Sequence, residues 1–479
     1  MGVSAAVLVC LATAECAVAA ANLPQGMWKA GVATVVTTPE QSMWMAGYAA
    51  RNKPSEGKVH DLNAKALALE DAAGSRFVIV AVDVIGFPRE FRDAVEKEVG
   101  ARYGLRPEGL LLNVSHTHCG PEIRAWRATQ AWDLPAEQIE LGKKYAEALQ
   151  VKIVDLVGRA LKDLSPAQLS YTHGRAAVAM NRRLLTERGY AISPNADGPV
   201  DHDVPALAVA APDGKMRAIL FGYACHNTTL DFYQFCGDYA GFAQLHVEET
   251  HPGAVALFMI GCGGDQNPTP RRTLEWAKQH GRAVANGVEQ ALASKPRPVR
   301  GPLKLALGEA TLELAAPPSV EELKRQASST NKYESRHAEE LLKDLEAGRT
   351  RSTYPYLVQV AQFGDDLTMV GLAGEVVVDY SLRLKRELAA PRGEAILALS
   401  SPTSKGGTPS PQNPAVWVAG YCNEVFGYVP SQRVLQEGGY EAKDSILYYD
   451  ITVTPFTPSV EQRIVDKVHE LVNQVRGNK

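Results

Sequence analysis

Asp83, His116, His226 and Glu375 can each bind a metal or move a proton, and each stands at or just past the end of an apolar run. Acids and imidazoles are costly to bury without a partner. Held together at the ends of buried strands, they ask for something that neutralises them as a group. A metal ion does this most simply, and a set of His and Glu suits Zn²⁺. Single ligands drawn from distant strands also fit a catalytic site with an open position better than a zinc finger, whose ligands come in close pairs. Taken singly, each of these residues is more often a satisfied core or surface group. Their shared placement carries the argument.

The densest signal is the run 110–121, where a branched apolar stretch passes through His116-Thr117-His118 and stops at Gly120-Pro121. Histidines one residue apart point to the same side if the extended conformation persists that far. They would then lie at the carboxyl end of a buried strand, where open α/β sheets keep their sites. The spacing leaves open whether one or both imidazoles bind.

The elements around these residues are legible from their periodicity. Residues 77–84 are apolar except for Asp83, the pattern of a strand covered on both faces. Phe87, Phe91, Val95, Val99 and Tyr103 recur every four residues before Gly104, which predicts a helix with a glycine stop. Strand, helix, strand in that order predicts a parallel crossover. Tyr145, Leu149, Ile153, Leu156 and Ala160 mark a second long helix, ended near Pro166. Residues 207–211 and 216–223 flank Pro212-Asp213-Gly214-Lys215, a hairpin whose second strand leads straight to His226. A short helix after Asp238 and a strand over 254–260 follow, then a glycine-rich turn ending at Asp265. The stretch 319–347, rich in Glu, Lys and Gln, predicts one solvated helix. A further hairpin over 357–372 leads to Gly374-Glu375. Residues 401–414 read as a long loop, a candidate for function. A last helix spans 459–475 with Ser459 as its N-cap. No internal repeat and no linker stands out. The expected fold class is α/β, with mixed β-sheets, flanking helices and the metal site at strand C-terminal ends.

Composition excludes several classes of function. The chain has 479 residues, of which 22% are charged and 45% hydrophobic, with a formal net charge of -4. This is ordinary globular composition. No Lys/Arg cluster recurs, so nucleic acid is not an expected partner. Residues 1–21 are apolar with small residues near Ala17 to Ala20, and are read as a signal peptide too short to span a bilayer. No other candidate span is present, so the expected product is exported, secreted or periplasmic. Five cysteines follow that segment, and an odd number leaves at least one free or paired to another chain.

The sequence resembles the neutral (non-lysosomal) ceramidases over most of its length. The resemblance rests on Ala46-Gly47-Tyr48-Ala49-Ala50-Arg51, Asp61-Leu62-Asn63-Ala64 and His116-Thr117-His118-Cys119-Gly120-Pro121. It continues through Ala224-Cys225-His226-Asn227-Thr228, Gly237-Asp238-Tyr239-Ala240-Gly241, Gly374-Glu375 and Gly427-Tyr428-Val429. It implies one Zn²⁺ bound by His116, His226, Glu375 and Tyr428. It also implies that His118, Arg182 and Tyr440 line the substrate side, with Asp83, Asp238 and Asp265 orienting imidazoles or loops. Zinc lowers the pKa of a bound water to about 7, so the implied reaction is cleavage of an amide by a zinc-bound hydroxide. N-acyl sphingosine or another N-acyl compound would be the substrate. Two features depart from the family. Asn267 stands where ceramidases carry a serine, and an amide can donate a hydrogen bond but cannot act as a nucleophile. The chain also ends soon after Pro458, so a single hydrolase domain over 22–479 is expected, without the family's C-terminal β-sandwich. These departures keep alive a carbohydrate or other polar substrate on the same scaffold, and a non-catalytic binding protein as a further alternative. The sequence leaves the oligomeric state open.

Overall fold

The computed structural model describes residues 28–124, 134–389, 414–449 and 454–477. The expected signal segment 1–21 and all but the last residue of the loop 401–414 lie outside them. The largest element is a sheet of nine strands. Its spine runs Val255–Ile260, Met216–Tyr223, Asp203–Ala210, Ser165–Arg175, Trp28–Val36, Asn63–Glu70, Arg76–Val82 and Leu110–Val114, with Arg297–Val299 beside Ser165–Arg175. The outermost pair at each end is parallel and every pair between them is antiparallel. The expected crossover is therefore present: helix Arg89–Tyr103 links the parallel strands Arg76–Val82 and Leu110–Val114. Its stop is Gly104, left-handed at φ 64°, which glycine adopts at least cost.

The sheet is built twice over, although no repeat shows in the sequence. Three antiparallel strands, a helix, a strand parallel to the third, and a long helix succeed one another from Trp28 to Lys162. The same order recurs from Ser165 to Ala293. Each long helix lies against the first strand of its own half at a glycine. A Cβ at Gly31 would fall 2.1 Å from the Ala160 carbonyl oxygen, and one at Gly174 would fall 2.0 Å from that of Gly287. The geometry is duplicated while the side chains have diverged.

Alternation along the strands sorts the molecule into layers. Ala64, Ala66, Ala68, Val78, Val80 and Val82 face the helices. Leu67, Leu69, Phe77 and Ile79 face a second, four-stranded sheet through Phe363, Leu367, Met369 and Trp417. That sheet runs Leu303–Glu313, Thr353–Phe363, Leu367–Leu372, Ala415–Ala419, and its far side is covered by helices Val378–Ala389 and Val460–Arg476. The result is helix, sheet, sheet, helix. The large sheet curls until its two edge strands meet. Asn113 fastens them: its Oδ1 accepts from the Ile260 amide at 3.0 Å, and its Nδ2 donates to the Gly420 carbonyl at 2.8 Å.

Two local expectations need correcting. The stretch 319–347 forms two helices, Val320–Ala327 and Lys332–Glu346, which bury Leu323, Ala338 and Leu341 between them. Asn331 caps the second by accepting from the Tyr333 amide, so a new helix starts where charge density alone reads as one continuous run. Ser459 precedes the last helix without capping it, because its hydroxyl is engaged with Glu313 and Thr457.

One half-buried ion cluster ties the large sheet to helix Val378–Ala389. Lys385 Nζ reaches Asp201 at 2.8 Å and Asp203 at 3.0 Å, and His173 adds a bond to Asp203. Burial alone would raise the Asp203 carboxyl, but Lys385 and His173 override it and hold it at about 2. A carboxyl depressed in the folded state stabilises the fold above its unfolded pKa of about 3.9 and loses that contribution as pH falls through the folded value. Lys385→Met should therefore lower stability by about 3 kcal/mol at neutral pH. Chemical denaturation should show the gap to wild type closing between about pH 4 and pH 2.

Candidate metal centre

The strand Leu110–Val114 ends before the histidines, so the extended geometry does not carry them. His116 adopts φ 56°, a left-handed conformation that is strained for a residue with a Cβ. This turn still returns His118 to the same place, with the two Nε2 atoms 3.3 Å apart. His226 lies three residues past Met216–Tyr223, its amide fixed to the Gln266 carbonyl at 2.9 Å. Glu375 and Tyr428 come from the second sheet layer, side by side in a short parallel pair.

These residues meet. Glu375 Oε2 is 3.2 Å from His116 Nε2 and 3.0 Å from His226 Nε2. The Tyr428 hydroxyl is 3.0 Å from His226 Nε2 and accepts from Arg182 Nη2 at 2.9 Å. The other ring nitrogens decide what this cluster needs. His116 Nδ1 lies 2.6 Å from the Ile85 carbonyl oxygen and His226 Nδ1 lies 2.6 Å from that of Gly263. A carbonyl can only accept, so each neutral ring carries its hydrogen on Nδ1 and presents a lone pair at Nε2. Glu375 Oε2 consequently has no donor, though it is fully buried. A buried carboxylate oxygen facing two imidazole lone pairs fits a cation, and His, His, Glu and Tyr are donors that zinc accepts. His116, His118 and His226 also place ring nitrogens within 4.8 Å of one another.

Electrostatics follow from burial. Burial pushes His226 down to about 4, helped by Arg182 and opposed by Glu375. Tyr428 is pushed up by burial, against the pull of Arg182.

The remaining expected residues divide into those at the centre and those that brace it. Arg182 donates from Nε to Glu441 at 2.8 Å and from Nη1 to the Asn267 Oδ1 at 3.2 Å. The Tyr440 ring packs edge-on against Tyr428 at 5.3 Å, with the Arg182 guanidinium 5.8 Å from its centroid. Asp265 accepts from the Val378 amide at 2.8 Å and from Asn181 Nδ2 at 3.2 Å, so it joins the turn past Glu375 to the start of Arg182's strand. Asp83 and Asp238 orient no imidazole. Asp83 accepts from the Asn63 amide, and Asp238 accepts from the amides of Leu230 and Tyr239. Both are loop braces, and the strand-end placement of Asp83 does not bring it to the centre. All five cysteines of the described residues are buried and unpaired.

Three contributors escaped the sequence reading. Tyr449 hydrogen-bonds Glu375 Oε1, Glu441 holds Arg182, and Tyr421 packs its ring 4.6 Å from His116. Glu441 adjoins Tyr440, the one signal that marks it; Tyr421 and Tyr449 carry no motif.

A family profile described as neutral/alkaline non-lysosomal ceramidase, N-terminal, matches residues 28–285, more than half of the chain. The chain belongs to that family. Among solved structures, it is similar to the neutral ceramidase of Pseudomonas aeruginosa at TM-score 0.69 and 18% identity, over 95% of this chain and 75% of that one. A ceramidase complexed with C2 matches at TM-score 0.70 and 18% identity, over 95% and 76% of the two chains. No curated protein sequence matches. No helix among the described residues is long and apolar enough to cross a membrane.

His118 stands where it does because Gly47 leaves room. At φ 97°, a Cβ on Gly47 would lie 2.2 Å from His118 Nδ1. Gly47→Ala should displace the ring by about an ångström and reduce kcat about a hundredfold. Any metal content measured on the same sample should stay at the wild-type level, because the groups nearest Glu375 are untouched.

Proposed function

We propose that this chain is a zinc-dependent amidohydrolase of the ceramidase type, cleaving N-acyl sphingosine or another N-acyl amine. The convergence of His116 Nε2 and His226 Nε2 on the donorless Glu375 Oε2, with the Tyr428 hydroxyl 3.0 Å from His226 Nε2, carries this reading. His116, His226, Glu375 and Tyr428 hold the ion. When bound there, zinc polarises an amide carbonyl and makes water a nucleophile near neutral pH by lowering its pKa to about 7.

The chain's own residues supply the rest. Arg182, clamped by Glu441 and Asn267, presents a fixed positive charge where the carbonyl oxygen gains negative charge. Tyr440 stays protonated because burial raises its pKa, so its hydroxyl donates to the same oxygen. His118, whose Nε2 faces the centre 3.3 Å from His116 Nε2, takes the proton the attacking water gives up and delivers it to the amide nitrogen as the C–N bond breaks and the amine leaves. Asn267 uses its Oδ1 on Arg182, which leaves its amide hydrogens for the substrate. Asp83, Asp238 and Asp265 fix the loops that carry these groups. In this reading residues 22–479 form one hydrolase domain, exported to the periplasm or medium behind a cleaved 1–21 segment.

Metal analysis of purified protein should find one zinc per chain, falling at least tenfold in His226→Ala and Glu375→Gln. Hydrolysis of an N-acyl amine should fall about a thousandfold in both variants. Undiminished zinc in either variant would sink the assignment.

A further inference from the structure

The groups beside His118 differ in charge from those a neutral lipid amide requires. His118 packs against the half-buried Tyr48 ring at 4.8 Å, and three guanidinium groups surround that ring. Two of them are already engaged. Arg51 is buried and donates to the carbonyls of Ala46, Phe232 and His118. Arg272, 5.4 Å from the ring centroid, pairs with Asp231 at 2.5 Å. Arg182 is held by Glu441 at 2.8 Å and is committed to the carbonyl oxygen in the reading above.

Arg271 is different. Its Nε donates to the Thr228 carbonyl at 2.8 Å and its Nη2 to the Tyr48 hydroxyl at 3.3 Å, both uncharged acceptors. No carboxylate among the described residues forms an ion pair with it. Asp238, an acid close enough to feel its charge, turns its oxygens to the amides of Leu230 and Tyr239. Arg271 is half-buried, and it is held by the loop two residues past His226 and by the segment that carries Asn267. A guanidinium fixed at its base, half-buried and without a directly paired carboxylate is prepared for an anion, and its planar fork matches a carboxylate.

Its position selects the end of the substrate. Arg271 lies one tyrosine ring from His118, the group that returns a proton to the leaving amine. Arg182 and Tyr440 occupy the carbonyl side. We propose that Arg271 receives a carboxylate on the amine half of the substrate, so that the class cleaved best is an N-acyl amino acid. This rests on the amidohydrolase reading and on the role of His118 in it.

Two substrates of equal acyl length separate the possibilities: N-lauroylglycine, and N-lauroylethanolamine, in which a hydroxymethyl group replaces the carboxylate. The zinc-loaded full chain should favour the acid, and the ratio of kcat/KM for acid over ethanolamide should fall roughly tenfold or more in Arg271→Gln. The loss should appear as a raised KM for the acid, and Arg271→Lys should retain part of the preference. Because the ratio is taken within one protein sample, partial misfolding does not alter it. An unchanged ratio in Arg271→Gln, or a wild type that prefers the ethanolamide, overturns the proposal and leaves the amidohydrolase reading intact. Calorimetric binding of N-lauroylglycine, lost in Arg271→Gln but without hydrolysis of either compound, would keep the carboxylate site and sink the amidohydrolase reading.

Discussion

Two imidazole N–H groups, each tied to a backbone carbonyl, fix the character of the whole centre. Once Ile85 and Gly263 have taken those hydrogens, the facing nitrogens can offer only lone pairs to Glu375. The duplicated sheet explains where the carbonyls come from. In the first half, the histidine follows one strand of the parallel pair and its carbonyl partner follows the other. In the second half the roles are exchanged: His226 follows Met216–Tyr223, and Gly263 follows Val255–Ile260. Each parallel pair thus delivers one ring and that ring's own acceptor, and the tautomers are set by the fold before any ion arrives.

The centre sits on the seam between layers. His116 and His226 belong to the large sheet, within the residues that match the family profile, whereas Glu375 and Tyr428 lie beyond them. The contact is built from close packing. A Cβ on Gly264 would meet the Glu375 carbonyl oxygen at 2.5 Å, and the Gly264 amide donates to Val376 at 2.9 Å. Asn113 spans the same seam by joining both edge strands of one sheet to Gly420 of the other. Backbone proximity of this kind leaves little room for the carboxylate to relax away from the two rings.

Much of this was legible in sequence. Continuous apolar runs gave the buried strands, four-residue spacing and Gly104 gave the first helix, and the placement of His116, His226 and Glu375 at strand ends pointed to one location. What failed had physical reasons. The route of His118 back to His116 depends on a left-handed turn at a histidine, which no local preference announces. The duplication is invisible because burial on both faces accepts any branched apolar residue, so the two halves kept their geometry and lost their likeness. Asp83 shares the strand-end placement of the other acids and imidazoles, but the amide of Asn63 on the adjacent strand captures it and leaves it bracing a loop. Tyr421 and Tyr449 act through rings and hydroxyls reached across the fold, with nothing in their neighbours to mark them.

Placing the donors in two layers has a consequence for the order in which the molecule is assembled. A chain emerging from its N-terminus exposes both histidines, and could complete the first sheet, long before residues 375 and 428 exist. During that interval nothing negatively charged stands opposite the two rings, so an ion would be held weakly and exchange freely. Capture becomes firm only when the second layer docks. Retention of an ion at such a site would therefore report that the polypeptide has been finished and closed, and a truncated or half-folded copy would release it.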